Sequence, residues 1–99
     1  MLKLTVRIRH RDEHGGKAIA DLLLALYKKS GITGATVLQG IRGYGVRGSS
    51  RADVLGLSLN LPVVIETVDE PQKVHGVLAE VKAIVGANGL ITLEEVDVV

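Results

Sequence analysis

Glycine and arginine are interspersed in the middle of the chain in a pattern that could hold an anion. Six of the twelve glycines fall within residues 31–48, and the same stretch carries Arg42 and Arg47. Glycine lets the backbone approach a bound molecule or leave a sheet, and a guanidinium offers a planar fork that matches phosphate oxygens. We therefore predict that Gly43-Tyr44-Gly45 begins a flexible cationic arm, which would hold an anionic molecule or contact a partner.

The charges of the chain are unevenly distributed along its length. Residues 1–53 hold ten Lys or Arg against four Asp or Glu, whereas residues 54–99 hold two against seven. This asymmetry is consistent with a cationic site built by the first half. It is equally consistent with a solvated surface, or with charge complementarity between subunits.

Hydrophobic periodicity predicts the elements that position these charges. Alternation of apolar and polar residues from Leu2 to Ile8 indicates a strand with one polar face, and apolar residues at helical spacing follow it. A later strand, residues 61–68, is apolar on both faces and is expected to be central. Asp69 is expected to cap the second helix, which has Pro71 in its first turn. The predicted elements are a strand at 2–8, a helix at 16–30, a strand at 34–45, a long excursion at 46–60, a strand at 61–68, a helix from 69 to 85 and a strand at 90–98.

The predicted order of elements, βαββαβ, is that of an α+β, ferredoxin-like fold. We expect one domain over residues 1–99, with two helices on one face of a four-stranded antiparallel sheet. Right-handed crossovers bring the end of the first strand, the arm and the turn before the last strand to the same sheet edge. The basic residues expected at that edge are Arg9, His10, Arg11, His14, Lys17, Arg42, Arg47 and Arg51.

Other classes of function find less support in the sequence. His10 and His14 flank Asp12 and Glu13, but loop histidines beside carboxylates are more often surface residues than metal ligands, so we predict no metal site. No serine has a positioned base beside it, so we predict no catalytic residue and no enzyme.

Composition bears on the partners and the compartment of the protein. The two aromatic residues are too few for a nucleic-acid stacking platform. The chain has no apolar run of about 18 residues, which a membrane helix needs, and it has no cysteine. These features fit a cytoplasmic protein.

Three segments carry a family resemblance that covers essentially the whole chain. The sequence resembles the PII nitrogen-signalling proteins, and most closely their PII-like group that is catalogued as a domain of unknown function. The matching segments are Gly31-Ile32-Thr33-Gly34-Ala35-Thr36-Val37 with its continuation to Gly45, Leu61-Pro62-Val63-Val64-Ile65-Glu66, and Leu90-Ile91-Thr92-Leu93-Glu94-Glu95-Val96.

This resemblance implies a homotrimer with the sheets inside, and an adenine nucleotide (AMP, ADP or ATP) bound between subunits without any required cofactor. Because the turn before the last strand lacks the lysine of PII proteins, AMP or ADP should compete well with ATP. Arg42 and Arg47 would hold the phosphate end and Thr36 the other, so losing either arginine should weaken binding tenfold to a hundredfold. Together with the chemistry of the arginines, this predicts the nucleotide-binding residues Gly34, Ala35, Thr36, Arg42, Gly43, Tyr44, Gly45, Arg47, Asn88 and Gly89.

The implied function is signalling. The arm at 46–60 would change order or position when the effector binds, and would then contact a target protein such as a membrane transporter or an enzyme. The alternative is a structural or metal-responsive trimer of the same fold that does not sense nucleotides.

Overall fold

Four strands form the main sheet of the protein, which we describe from a computed structural model covering residues 1–51 and 60–99, the side chains of Ser50 and Arg51 excepted. The strands of this sheet are β1 (Leu2–Arg9), β4 (Thr36–Gln39), β7 (Pro62–Asp69) and β8 (Leu90–Glu95). They lie in the order β4-β7-β1-β8, and all neighbours are antiparallel. The predicted ferredoxin-like fold is confirmed, and β7, which is apolar on both faces, is central as expected.

Two helices cover one face of this sheet. Helix α1 spans Ile19–Lys29 and helix α2 spans Pro71–Val85, followed by a short 3-10 turn at Gly86–Asn88. The inward residues of β1 alternate as predicted, and they pack with the apolar stripes of both helices because every second side chain of a strand points to the same face. The core includes Leu4, Val6, Ile19, Leu23, Tyr27, Ile65, Val74, Val77, Val81 and Val85. Within the described residues, no helix is long and apolar enough to cross a membrane.

The helices found among the described residues leave the opposite face of the sheet uncovered. In register, Leu38, Val64, Arg7 and Leu90 form one row across the four strands, and Leu38 and Leu90 are each more than half exposed. Lys3 and Glu66 form an ion pair of 3.5 Å elsewhere on this face. We call this surface the open sheet face.

The first helix begins later than the sequence predicts. Residues 16–18 are not helical, because Glu13–His14 (β2) and Lys17–Ala18 (β3) pair as a short hairpin. Gly15 and Gly16 form its turn with φ of +60° and +80°, a backbone region that glycine enters without steric cost. The Ile19 amide then donates to the Asp12 carbonyl at 3.0 Å, which ties the helix start to the end of β1.

The second predicted strand, 34–45, is wrong as one continuous element. It divides into β4 and a separate strand β5, Arg42–Gly45, which pairs with β6, Gly48–Arg51, in a two-stranded hairpin. We call residues 42–51 the arm hairpin. The predicted excursion at 46–60 therefore begins with the turn and the second strand of this hairpin. Residues 52–59 lie outside the described part of the chain.

Two further boundaries differ from prediction. The last strand ends at Glu95 rather than Val98. Asp69 is the final residue of β7 and not the cap of α2, where Glu70 occupies the N-cap position. The Asp69 carboxylate instead accepts hydrogen bonds from the Thr33 and Glu70 amides, both at 2.8 Å, so it links the loop after α1 to the end of β7.

Candidate functional site

A cleft of about 440 Å³ opens at the sheet edge where the sequence places the basic residues. Its walls come from the end of β1, the arm hairpin, the start of β7 and the turn before β8. The lining residues are Arg7, Ile8, Arg9, Gly43, Tyr44, Gly45, Val46, Arg47, Pro62, Ala87, Asn88, Gly89 and Leu90. Four segments separated in sequence therefore meet at one edge, as the fold requires.

Pro62 determines how the arm hairpin leaves the sheet. An ideal Cβ atom built on Gly43 would lie 3.0 Å from the Pro62 Cγ atom, and one on Gly40 would lie 3.1 Å from the same atom. The Gly40 amide donates to the Pro62 carbonyl at 2.7 Å. The glycines therefore allow the chain to cross tightly over Pro62 between β4 and β5, which turns the hairpin toward the cleft.

Arg47 is the most extensively bonded cation of the cleft among the described residues. Its Nη1 and Nη2 atoms donate to the two carboxylate oxygens of Asp12 at 2.8 and 2.7 Å, and Nη2 also donates to the Asn88 carbonyl. Arg9 makes a second contact with the hairpin, since its Nη2 atom donates to the Gly48 carbonyl at 2.6 Å. Two arginines thus fasten the hairpin tip to the body of the protein.

The Asp12 carboxylate is buried, with its side chain 7% exposed. Burial by itself would raise the pKa of Asp12. The hydrogen bond from Arg47, the backbone hydrogen bond from Arg9 at 2.7 Å and the attraction of both guanidinium groups outweigh burial, so the pKa of Asp12 is lowered from its ordinary value. Asp12 is therefore ionised near neutral pH and compensates one positive charge of the cleft.

Arg7 is a cleft residue that the sequence analysis missed. It lies on the polar side of β1, two residues before Arg9, and it is exposed. Within the described part of the chain, the Arg7 side chain has no hydrogen bond or ion pair. The alternation of β1 could have revealed it, because Arg7 and Arg9 necessarily share one face of the strand.

The predicted nucleotide-binding residues divide into two groups within one chain. Gly43, Tyr44, Gly45, Arg47, Asn88 and Gly89 all line the cleft, whereas Arg42 is exposed beside it. Gly34, Ala35 and Thr36 lie elsewhere: Thr36 pairs with Glu66, four residues along β7 from Pro62, a distance of about 13 Å at the usual strand rise. A single chain does not bring the two groups together.

The loop that carries His10 and His14 was the candidate metal site of the sequence analysis. His10 and His14 are exposed, and the Asp12 carboxylate between them is engaged by Arg47. Among residues 1–51 and 60–99, no three His, Cys, Asp or Glu side chains are placed to share a metal ion.

Comparison with known proteins gives the family. The profile of the family DUF190, described as Uncharacterized ACR, matches residues 1–98. The chain is 39% identical to the UPF0166 protein MJ1524 of Methanocaldococcus jannaschii over 92 residues, 93% of this chain and 85% of that protein. It is 44% identical to a UPF0166 protein of Aquifex aeolicus over 85 residues, 85% of this chain and 79% of that protein.

Solved structures show the same fold at low sequence identity. One is CPII from Thiomonas intermedia K12, a nitrogen regulatory PII-like protein bound to ADP, AMP and bicarbonate. It superposes with a TM-score of 0.70 at 16% identity, covering 98% of this chain and 92% of that one. A second CPII structure with the same ligands gives a TM-score of 0.58 at 17% identity, covering 98% and 86%. The resemblance found in the sequence is confirmed: this chain belongs to the DUF190 (UPF0166) family and has a PII-like fold.

Proposed function

We propose that this protein is a non-enzymatic, PII-like regulator that binds an adenine nucleotide in the cleft at the sheet edge. The observation that carries the proposal is the cleft itself, in which three arginines from two separate segments face glycine-rich backbone. Its volume of about 440 Å³ lies in the range of small-molecule sites, roughly 300–1,000 Å³. Arginine is well suited to phosphate because its planar fork binds two oxygens at once.

The likeness to CPII supports the choice of ligand. That protein is described as bound to ADP, AMP and bicarbonate, and its chain superposes on this one almost end to end. In this chain the phosphate end would lie against Arg7, Arg47, Asn88 and the backbone of Gly43–Gly45. Arg42, exposed at the start of the arm hairpin, would approach from the open side of the cleft.

The base end of the nucleotide would be held by a second copy of the chain. Gly34, Ala35 and Thr36 are too far along the sheet to reach the same cleft from within one chain. A homotrimer that buries the open sheet faces would bring these residues from a neighbour to the cleft. Leu38, Val64 and Leu90, which share one row of this face with Arg7, support such an assembly, because apolar side chains grouped on a surface favour association.

Nucleotide binding and its dependence on Arg7 test this proposal. Isothermal titration with AMP, ADP and ATP should show one site per chain for the wild-type protein. The Arg7→Ala variant should bind about tenfold to a hundredfold more weakly, because a charge-assisted hydrogen bond to a partly desolvated phosphate contributes about 1.5–3 kcal/mol.

Lys29→Ala is the matched control, since it removes one exposed positive charge from the last turn of helix α1, whose opposite end lies beside Asp12. It should leave affinity unchanged within about twofold. Absence of binding by all three nucleotides would refute the proposed function, and equal affinity of Arg7→Ala and wild type would remove Arg7 from the site.

The oligomeric state is a second test. Light scattering should give roughly three times the chain mass of 10.5 kDa. Val64→Lys, which places a charge in the centre of the open sheet face, should shift the mass toward the monomer, because burying an unpaired ammonium in an interface is costly. Ala79→Lys, on the exposed side of α2, is the control and should stay a trimer. A wild-type monomer at micromolar concentration would contradict the shared site.

The arm would carry the signal to a target protein. Its described part, the arm hairpin, exposes Tyr44 and Val46 almost completely, and these side chains are available to a partner. A metal-responsive or purely structural trimer is the competing proposal. The Asp12 carboxylate weighs against the metal version, because its ion pair with Arg47 withdraws the one buried acid that lies between His10 and His14.

A further inference from the structure

The guanidinium of Arg47 is already occupied by a carboxylate of the same chain. Of the five N–H groups that an arginine offers, two point at the Asp12 oxygens and a third at the Asn88 carbonyl. The parallel pair of bonds to Asp12 is the geometry that an arginine would otherwise offer to a phosphate. An anionic ligand in the cleft therefore meets Arg47 as one half of a neutral pair.

Asp12 is held firmly in this position. Its Oδ2 atom also accepts the Arg9 amide at 2.7 Å, its own amide donates to the Arg9 carbonyl at 3.0 Å, and its carbonyl accepts the Ile19 amide at 3.0 Å. These backbone contacts fix the residue between the end of β1 and the start of α1. The carboxylate is thus a fixed group behind the cleft wall, where it holds the lining residue Arg47, and not a mobile surface group.

We propose that Asp12 is a specificity-determining residue, which limits the charge of the anion that the cleft accepts. The inference rests on the proposed nucleotide site. Of the three arginines that line the cleft, Arg47 is neutralised by Asp12, Arg9 keeps its charge but is directed to the Gly48 carbonyl, and Arg7 has no described partner. The cleft therefore has two uncompensated arginine charges. A cleft with this balance suits a nucleoside monophosphate better than a triphosphate.

The size of the effect follows from charge alone. Removing the Asp12 charge raises the net charge of the cleft by one, and each ligand gains in proportion to the charge it carries. Near neutral pH, ATP without magnesium carries about two more negative charges than AMP. At separations of several Å and partly screened conditions, we expect the ratio of ATP to AMP affinity to rise about tenfold.

The experiment is titration of the full chain with AMP, ADP and ATP in magnesium-free, low-salt buffer. Asp12→Asn keeps an oxygen to accept the Arg9 amide while removing the charge, and it should raise the ratio of ATP to AMP affinity about tenfold. Glu13→Gln is the matched control, because it removes the same charge from the exposed neighbour of Asp12, and it should change the ratio less than about twofold.

Two further variants separate charge from structural damage. Arg47→Ala leaves the Asp12 charge uncompensated and should lower the ratio of ATP to AMP affinity. The double variant, Asp12→Asn with Arg47→Ala, has no charge at either position and should return this ratio to within about threefold of the wild-type value. A purely structural role of Asp12 would weaken all ligands alike. If Asp12→Asn does not fold, the direction of the Arg47→Ala effect decides.

Each outcome is informative. Nucleotide binding with an unchanged ratio in Asp12→Asn and Arg47→Ala overturns this inference and leaves the proposed function standing. No binding of any nucleotide to wild type or variants overturns both.

Discussion

Replacing Gly89 with alanine should destabilise the protein by about 3 kcal/mol. It should also distort the cleft, because Gly89 and Arg7 both line it. A Cβ atom at this position would lie 2.3 Å from the Arg7 carbonyl oxygen, 2.7 Å from Ile8 Cγ2 and 3.2 Å from Val85 Cγ1. The nearest of these atoms belongs to the backbone of a central strand, so it cannot move aside without breaking the pairing of β1 and β8. Overpacking of this kind costs about 1–3 kcal/mol and occasionally more.

Urea unfolding at one fixed protein concentration measures this effect, since the stability of an oligomer depends on concentration. Gly76→Ala is the matched control. Gly76 lies on the exposed side of α2, and a Cβ there would meet no atom within 4 Å. The control should stabilise the protein by about 0.5–1 kcal/mol, because alanine is the better helix former. A loss below about 1 kcal/mol in Gly89→Ala would contradict the close packing described here.

The sequence predicted the main sheet because its strands have unambiguous apolar patterns. The alternation from Leu2 to Ile8 predicted the apolar and the polar face of β1, and the two-sided apolar strand β7 was expected to be central. Once those strands and two helices were assigned, the chirality of the crossovers brought the end of β1, the arm and the Gly86–Gly89 turn together. The position of the cleft at this sheet edge was therefore predictable, and the structure has a cleft at that position.

Of the details that failed, one has a local cause and two depend on contacts between residues distant in sequence. Residues 16–18 belong to the hairpin at 13–18, although they are also compatible with a helix. The local pattern of apolar residues does not distinguish a hairpin from a helix there. The division of the predicted strand 34–45 results from the crossing over Pro62, which is close in space but distant in sequence. The pairing of Arg47 with Asp12 joins residues 35 positions apart, so no spacing rule reveals it.

The Asp12 pair also changes how the basic edge should be interpreted. Counting basic residues along the sequence suggests a strongly cationic site, and it treats Arg47 as available to a phosphate. In the structure Arg47 is compensated, while Arg7, which is not among the basic residues predicted at that edge, is exposed in the cleft. The number of arginines at a site therefore overstates its positive potential whenever a buried carboxylate is bonded to one of them.

Replacing Asp69 with asparagine should destabilise the protein by about 3 kcal/mol at pH 7. The Asp69 side chain is 5% exposed and accepts hydrogen bonds from the Thr33 and Glu70 amides, both at 2.8 Å. Hydrogen bonds to a charged group contribute about 1.5–3 kcal/mol each. Asparagine retains one oxygen, but its NH2 group would face one of the two amide donors, so one amide is left unsatisfied. Urea unfolding measures the loss, with Glu80→Gln as an exposed control that should change stability by less than about 0.5 kcal/mol.

The difference between wild type and Asp69→Asn should shrink as the pH falls. The hydrogen bonds from the Thr33 and Glu70 amides favour the ionised form, outweigh the effect of burial, and so lower the pKa of Asp69 below its ordinary value. A group with a lowered folded pKa contributes its full stability above the unfolded pKa, which is about 3.9 for Asp, and loses it as the pH falls through the folded pKa. Unfolding curves from pH 7 down to about pH 2 should therefore converge below pH ~4. A constant gap across that range would show that Asp69 acts through packing and not through its charge.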